Sequence, residues 1–171
     1  MRALVTVASK HGSTAGIGQA ISETLNASGV EAELQEPSQV TSLDAFDVVV
    51  LGSAVYAGHW MSDAKEFADR FRPQLRELPV WLFSSGPIGD PPKPDEEPVD
   101  AVALIEAIEP RGHMVFTGKL DKKSLGFAER AIVAAFHAPE GDFRDWTAIE
   151  SWAGEIAGSV LGSGATHQDA V

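Results

Sequence analysis

The turn Ser9-Lys10-His11-Gly12-Ser13-Thr14 follows a short apolar strand pattern and leads into an amphipathic helix pattern. There the hydroxyls of Ser9, Ser13 and Thr14 meet the unpaired N–H groups of a helix start, and the helix dipole favours an anion. The dipole is worth about 0.3 to 1 kcal/mol when exposed and about 2 kcal/mol when partly buried, so directed hydrogen bonds must supply most of the affinity. The chemistry indicated is phosphate binding, with N-capping by Ser13 or a neighbour as the competing reading.

A second cluster, Ser53-Ala54-Val55-Tyr56-Ala57-Gly58-His59-Trp60, combines small positions with two aromatics, as a flat ring held at a rim requires. Tyr56 and Trp60 are candidate stacking partners, against the alternative that both belong to the edge of the core. His59 reads as a surface residue, because no carboxylate partner is identifiable nearby. The third cluster runs Ser84-Ser85-Gly86-Pro87-Ile88-Gly89. Its glycine lets backbone approach a ligand and its proline stiffens the turn, so backbone donors there would read the polar edge of a ring. An ordinary Gly-Pro turn is the competing reading.

Other chemistries are missing. Gly12, Gly16 and Gly18 lack dinucleotide-fingerprint spacing, and no P-loop motif occurs. The five histidines lie in separate segments without HExxH, so no metal site is expected, and no GxSxG nucleophile elbow is present. Cysteine is absent, which excludes disulfides, thiolate metal sites and dithiol redox chemistry, so any redox work needs a cofactor. No catalytic acid or base is identified. A formal charge of -12 opposes nucleic acid and anionic membrane surfaces through long-range repulsion and favours basic or neutral partners. No apolar run approaches the roughly 20 residues of a membrane helix, and the amino terminus enters a strand pattern directly, so a cytoplasmic protein is expected.

These clusters need elements to hold them. Residues 3–8 (Ala-Leu-Val-Thr-Val-Ala) and Val48-Val49-Val50-Leu51 are continuous apolar runs that suit strands buried on both faces, as does Pro-Val-Trp-Leu-Phe-Ser-Ser over 79–85. Val30, Ala32 and Leu34 alternate with polar residues as in an edge strand, and 113–118 supplies a fifth strand. Between them Ile17, Ala20, Ile21 and Leu25 fall at helical spacing, with Gly29 placed for a left-handed cap. Ala64, Phe67, Ala68 and Phe71 make a second stripe, which Ser62 would cap, and Ala101, Ile105 and Ile108 a third. Asp145 suits the N-cap of a last helix carrying Ile149, Trp152, Ala153, Ile156 and Val160. Residues 86–98 form an exposed loop with five prolines and the acidic run Asp95-Glu96-Glu97.

Alternating strands and helices imply a parallel sheet with helices on both faces. Ligands then bind beyond the carboxyl ends of the strands, where the strand order reverses, and all three clusters start on that edge. Residues 119–142 exceed an ordinary connection and form an insertion before the last helix, with Leu125, Ala128, Ala131, Ile132, Ala135 and Phe136 as one face. It reads as a lid on the domain's own core or as a docking surface for an apolar substrate or membrane edge. The expected organisation is one domain over 1–161, followed by a flexible tail over 162–171.

The phosphate-type turn resembles that of flavodoxins, with His11 in place of a middle hydroxyl. Residues 52–60, the insertion and Asp145-Trp146 make the chain similar to the flavodoxin-domain group that contains the menaquinone-dependent protoporphyrinogen dehydrogenases. This resemblance implies a flavodoxin-like, doubly wound, five-stranded parallel sheet of order 2-1-3-4-5. It implies that Ser9, Lys10, His11, Gly12, Ser13 and Thr14 hold the phosphate of FMN, that Ser53, Ala54, Val55, Tyr56, Ala57 and Gly58 flank its ring, and that Ser85, Gly86, Pro87 and Ile88 contact the far edge. The implied activity is oxidation of a porphyrin-like or other small apolar donor with a quinone acceptor in haem biosynthesis, at the inner face of the membrane. Here the insertion is milder than in that group, since Asp121, Glu129, Glu140 and Asp142 offset Lys122, Lys123 and Arg130. Two alternatives stay open: an electron carrier that serves a redox partner protein, and a flavin-free binding module. An acidic shell around a flavin would lower its potential.

Overall fold

A computed structural model describes residues 1–88, 98–135 and 138–165. In chain order the elements are β1 (Arg2–Ala8), α1 (Ser13–Ala27), β2 (Glu31–Gln35), β3 (Val48–Tyr56), β4 (His59–Trp60), α2 (Ser62–Arg70), α3 (Arg72–Glu77) and β5 (Val80–Ser85). Then follow α4 (Val99–Ile108), β6 (Gly112–Phe116), β7 (Lys119–Leu120), α5 (Phe127–Ala135), β8 (Gly141–Asp142) and α6 (Trp146–Ala165). The acidic run 95–97 and Phe136 lie outside the described residues, as do 166–171 of the expected tail, whose residues 162–165 continue α6.

The main sheet runs β2-β1-β3-β5-β6, all parallel. This is the expected order 2-1-3-4-5 with the two-residue β4 counted as an additional strand. The apolar runs sit where two-sided burial requires them: Val5 faces Leu34 across one register and Val50 across the other. On one face Val5, Val7, Val50 and Phe83 pack under α1 and α6 through Ile17, Ile21, Leu25, Trp152 and Ile156. On the other, Leu4, Val49, Leu51 and Leu82 pack under α2, α3 and α4 through Phe67, Leu75 and Leu104. Each fully buried aliphatic side chain contributes about 1.5–3 kcal/mol, so these two layers hold the strand ends in place.

Helix ends follow local chemistry. At the end of α1, Gly29 takes φ 90°, and the N–H of Val30 donates to Leu25 O at 3.0 Å while that of Gly29 donates to Asn26 O at 3.1 Å, a paired closure that only a left-handed residue permits. Asp145 caps α6 by accepting the N–H of Ala148 at 3.0 Å. Ser62 does not cap α2, because the N-cap position falls on Met61 and Ser62 is the first helical residue.

Candidate functional site

The start of α1 carries Gly12 at φ 79° with no side-chain cap, so among the described residues no side chain satisfies the first-turn N–H groups. Capping by Ser13 is therefore overturned. Its Oγ instead accepts the backbone N–H of Lys119 at 2.9 Å.

A cavity of about 310 Å³ lies over this edge. Ser9, His11, Ser13 and Thr14 line it from the first loop, Ala54, Val55, Tyr56 and Ala57 from the second, and Ser85, Gly86 and Ile88 from the third. The topology thus brings all three clusters to one space. Lys10, Gly12, Ser53, Gly58 and Pro87 are not among its lining residues. Ser53 is fully buried, with its hydroxyl donating to Ala54 O at 2.8 Å and accepting the N–H of Met61 at 2.9 Å, so it braces the loop from behind. Pro87 O accepts the N–H of Gly118 at 2.7 Å, and Gly58 O that of Val99 at 3.1 Å. Both act through backbone.

Trp60 is not a stacking partner. It is 2% exposed, and its Nε1–H donates to Ser84 Oγ at 2.8 Å; His113 Nε2 lies 3.0 Å from the same hydroxyl. The reason is the hairpin that ends β3: Val55 pairs with Trp60 and Tyr56 with His59, which turns Trp60 inward. Tyr56, by contrast, stays at the rim, 43% exposed, with its ring edge-on to His11 at 6.4 Å. The two-residue turn uses Ala57 at φ 51° and Gly58 at φ 81°, the left-handed pair that matches strand twist. The alanine there costs roughly 1–2 kcal/mol, so surrounding contacts must hold it.

Asp100, at the start of α4, supplies those contacts and is also a carboxylate partner for His59, which lies at the surface as expected but not for want of such a partner. Its Oδ2 accepts the N–H of Trp60 at 2.9 Å and lies 3.1 Å from His59 Nδ1 and 3.5 Å from Lys65 Nζ. Burial pushes the Asp100 carboxyl up, but the Trp60 N–H, the His59 ring and the Lys65 ammonium together hold it below the usual carboxylate range. The partner lies 41 positions from His59, beyond any local pattern.

The insertion forms the remaining wall. Lys119, Leu120, Asp121, Ser124, Leu125 and Val133 line the cavity, with Gly118 just before them, and of these helical periodicity picks out only Leu125. Of the face read from periodicity, Leu125 is buried and lines the cavity whereas Ala131 and Ala135 are exposed, so that face does not pack on the core as a whole. The ribbon is anchored at its base: Phe143 N–H donates to Gly118 O at 3.0 Å, Thr117 Oγ1 donates to Phe143 O, and Arg144 Nη1 reaches Ser13 O at 3.2 Å. The Arg144 guanidinium also holds the Asp142 carboxyl below its ordinary value against the push of burial.

A second cleft of about 340 Å³ lies behind Ser9, lined by Gln35, Glu36, Gln39 and Asp63 among others. Its carboxylates repel a phosphate, so charge favours the first cavity. Among the described residues, no group of three or more His, Asp or Glu is placed to hold a metal ion, and no helix is long and apolar enough to cross a membrane.

A family model described as a flavodoxin domain matches residues 4–147. The solved structure of an archaeal flavodoxin is similar with a TM-score of 0.55 at 16% identity, covering 80% of this chain and 98% of that one. A cysteine-substituted flavodoxin from Pseudomonas aeruginosa gives 0.60 at 15%, covering 93% and 98%. The rubredoxin oxygen:oxidoreductase of Desulfovibrio gigas gives 0.64 at 10%, covering 94% of this chain and 36% of that much longer one.

Proposed function

The chain belongs to the flavodoxin-domain family and is an FMN-binding redox domain, and on that premise we propose that it is an oxidoreductase acting on a small apolar donor inside the insertion-walled cavity. The residues present fit the cofactor. The uncapped turn at Gly12 offers N–H donors, Ser9, Ser13 and Thr14 add hydroxyls, and the cavity volume lies at the lower end of the range for small-molecule sites.

When bound, FMN supplies hydride and single-electron transfer. The chain's own residues bind and orient it. The first turn of α1 would hold the phosphate, Tyr56 and Ala57 would cover one side of the ring, and the backbone at Ser85, Gly86 and Ile88 would meet its polar edge. The observation that carries the substrate reading is the apolar wall of Leu120, Leu125 and Val133. These side chains exclude water and offer an apolar donor a surface next to the ring, which a carrier meeting only proteins does not need. Protoporphyrinogen oxidation with a quinone acceptor is the specific form of this proposal.

A second reading, a carrier between protein partners, draws support from the formal charge of -12, which suits docking to basic proteins. A steady-state assay with protoporphyrinogen and menadione separates the two. Turnover without a reductase partner supports the enzyme, whereas reduction and reoxidation only through added redox proteins supports the carrier. Flavin binding itself raises thermal stability by about 2.7 kcal/mol at a hundredfold excess over the dissociation constant. A melting temperature that ignores added FMN would remove the premise of both readings.

A further inference from the structure

We infer that Lys119, carried by the insertion, is the counter-charge for the FMN phosphate, so that the insertion is a working part of the cofactor site; this inference rests on the FMN reading above. Its backbone is fixed beside the first turn of α1, where its N–H donates to Ser13 Oγ at 2.9 Å. That bond occupies an acceptor position on Ser13 and leaves the hydroxyl proton for an anion at the helix start. Lys119 lines the same cavity as Ser9, Ser13 and Thr14, and is the only lysine or arginine among the described residues that line it.

Lys10, in the turn itself, is not among the residues that line the cavity, and Arg144 is already committed. Arg144 donates its Nε–H to Asp142 Oδ1 at 2.8 Å and its Nη2 group to Oδ2 at 2.5 Å, while its plane lies over Trp146 at 4.4 Å. Asp142 faces Lys119 across the ribbon, but both of its oxygens accept from Arg144, so that pair is close to neutral; Asp121 is the one carboxylate among the described residues that line the cavity with Lys119. A net charge of -12 opposes a phosphate dianion at long range, and a cation beside the helix start offsets part of that repulsion.

Titrations of flavin-free full-length protein with FMN and with riboflavin, which lacks the phosphate, test this directly. Lys119→Met should weaken FMN about tenfold, the size of one lost charge-assisted hydrogen bond, and leave riboflavin unchanged. Lys119→Arg should retain most of the FMN affinity, and raised salt should reduce wild-type FMN affinity more than that of Lys119→Met. Equal losses for FMN and riboflavin, or no loss for either, would overturn the role of Lys119 while leaving the FMN site intact. A wild-type protein that binds neither flavin overturns the FMN reading, and the inference with it.

Discussion

Replacing Asp100 tests whether the hairpin at the cavity rim is held from α4. The carboxylate is 21% exposed and receives the Trp60 N–H at 2.9 Å, a bond to a charged acceptor worth about 1.5–3 kcal/mol. The contacts to His59 and Lys65 add less, because those side chains are 58% and 39% exposed and such pairs contribute at most about 1 kcal/mol. Asp100→Ala should therefore cost about 2 kcal/mol in urea unfolding, or about 4–8 °C in melting temperature for a chain of this size. FMN affinity should fall as well, since the released turn carries Ala57 at the cavity edge. The pH dependence follows from the lowered pKa of Asp100 in the folded state. Its stabilisation is full above the unfolded-state value of about 3.9 and fades as pH falls through the lower native value. The difference between wild type and Asp100→Ala should thus be constant from pH 7 to about 5 and shrink below about pH 4. A constant difference down to pH 3 would refute the charged bond, and no difference at pH 7 would refute the anchoring.

Gly12→Ala forces an L side chain into φ 79° at a cost of roughly 1–2 kcal/mol, although its Cβ would meet open space. The turn relaxes and misaligns its N–H donors, so FMN affinity measured by fluorescence titration should drop about tenfold or more while riboflavin affinity changes less. Trp152→Ala removes a 6%-exposed ring that meets Phe83 and Phe116 edge-on at 6.2 and 5.5 Å. Its expected cost is about 3–5 kcal/mol in denaturant, with unchanged flavin affinity per folded molecule, because α6 supports the sheet from the face away from the hairpin.

Local rules were enough for the frame of the molecule. Gly29 and Asp145 end and begin helices through contacts that span five residues or fewer, so their types alone announce them. The strand runs at 48–51 and 80–83 are apolar without alternation, which two-sided burial in a parallel sheet requires. Once that sheet is accepted, the positions of the three loops follow from topology, since parallel strands deliver their carboxyl ends to one edge.

Specific partners were not legible because they are remote along the chain. Trp60 turns inward only because the two residues after Tyr56 make a tight hairpin, and a two-residue strand carries too little pattern to reveal one. His59 meets a carboxylate 41 residues away, and Ser13 meets a backbone N–H 106 residues away. The insertion shows the same limit more sharply. Its helical stripe groups Ala131 and Ala135 with Leu125 on one face without saying what that face meets, and the segment is tied down by bonds at its base, from Thr117, Phe143 and Arg144, which helical periodicity does not register. Those bonds clamp the insertion to the helix whose first residues line the cavity. A segment that periodicity treats as peripheral therefore closes the cavity, supplies its apolar wall and carries a cation into a strongly acidic protein.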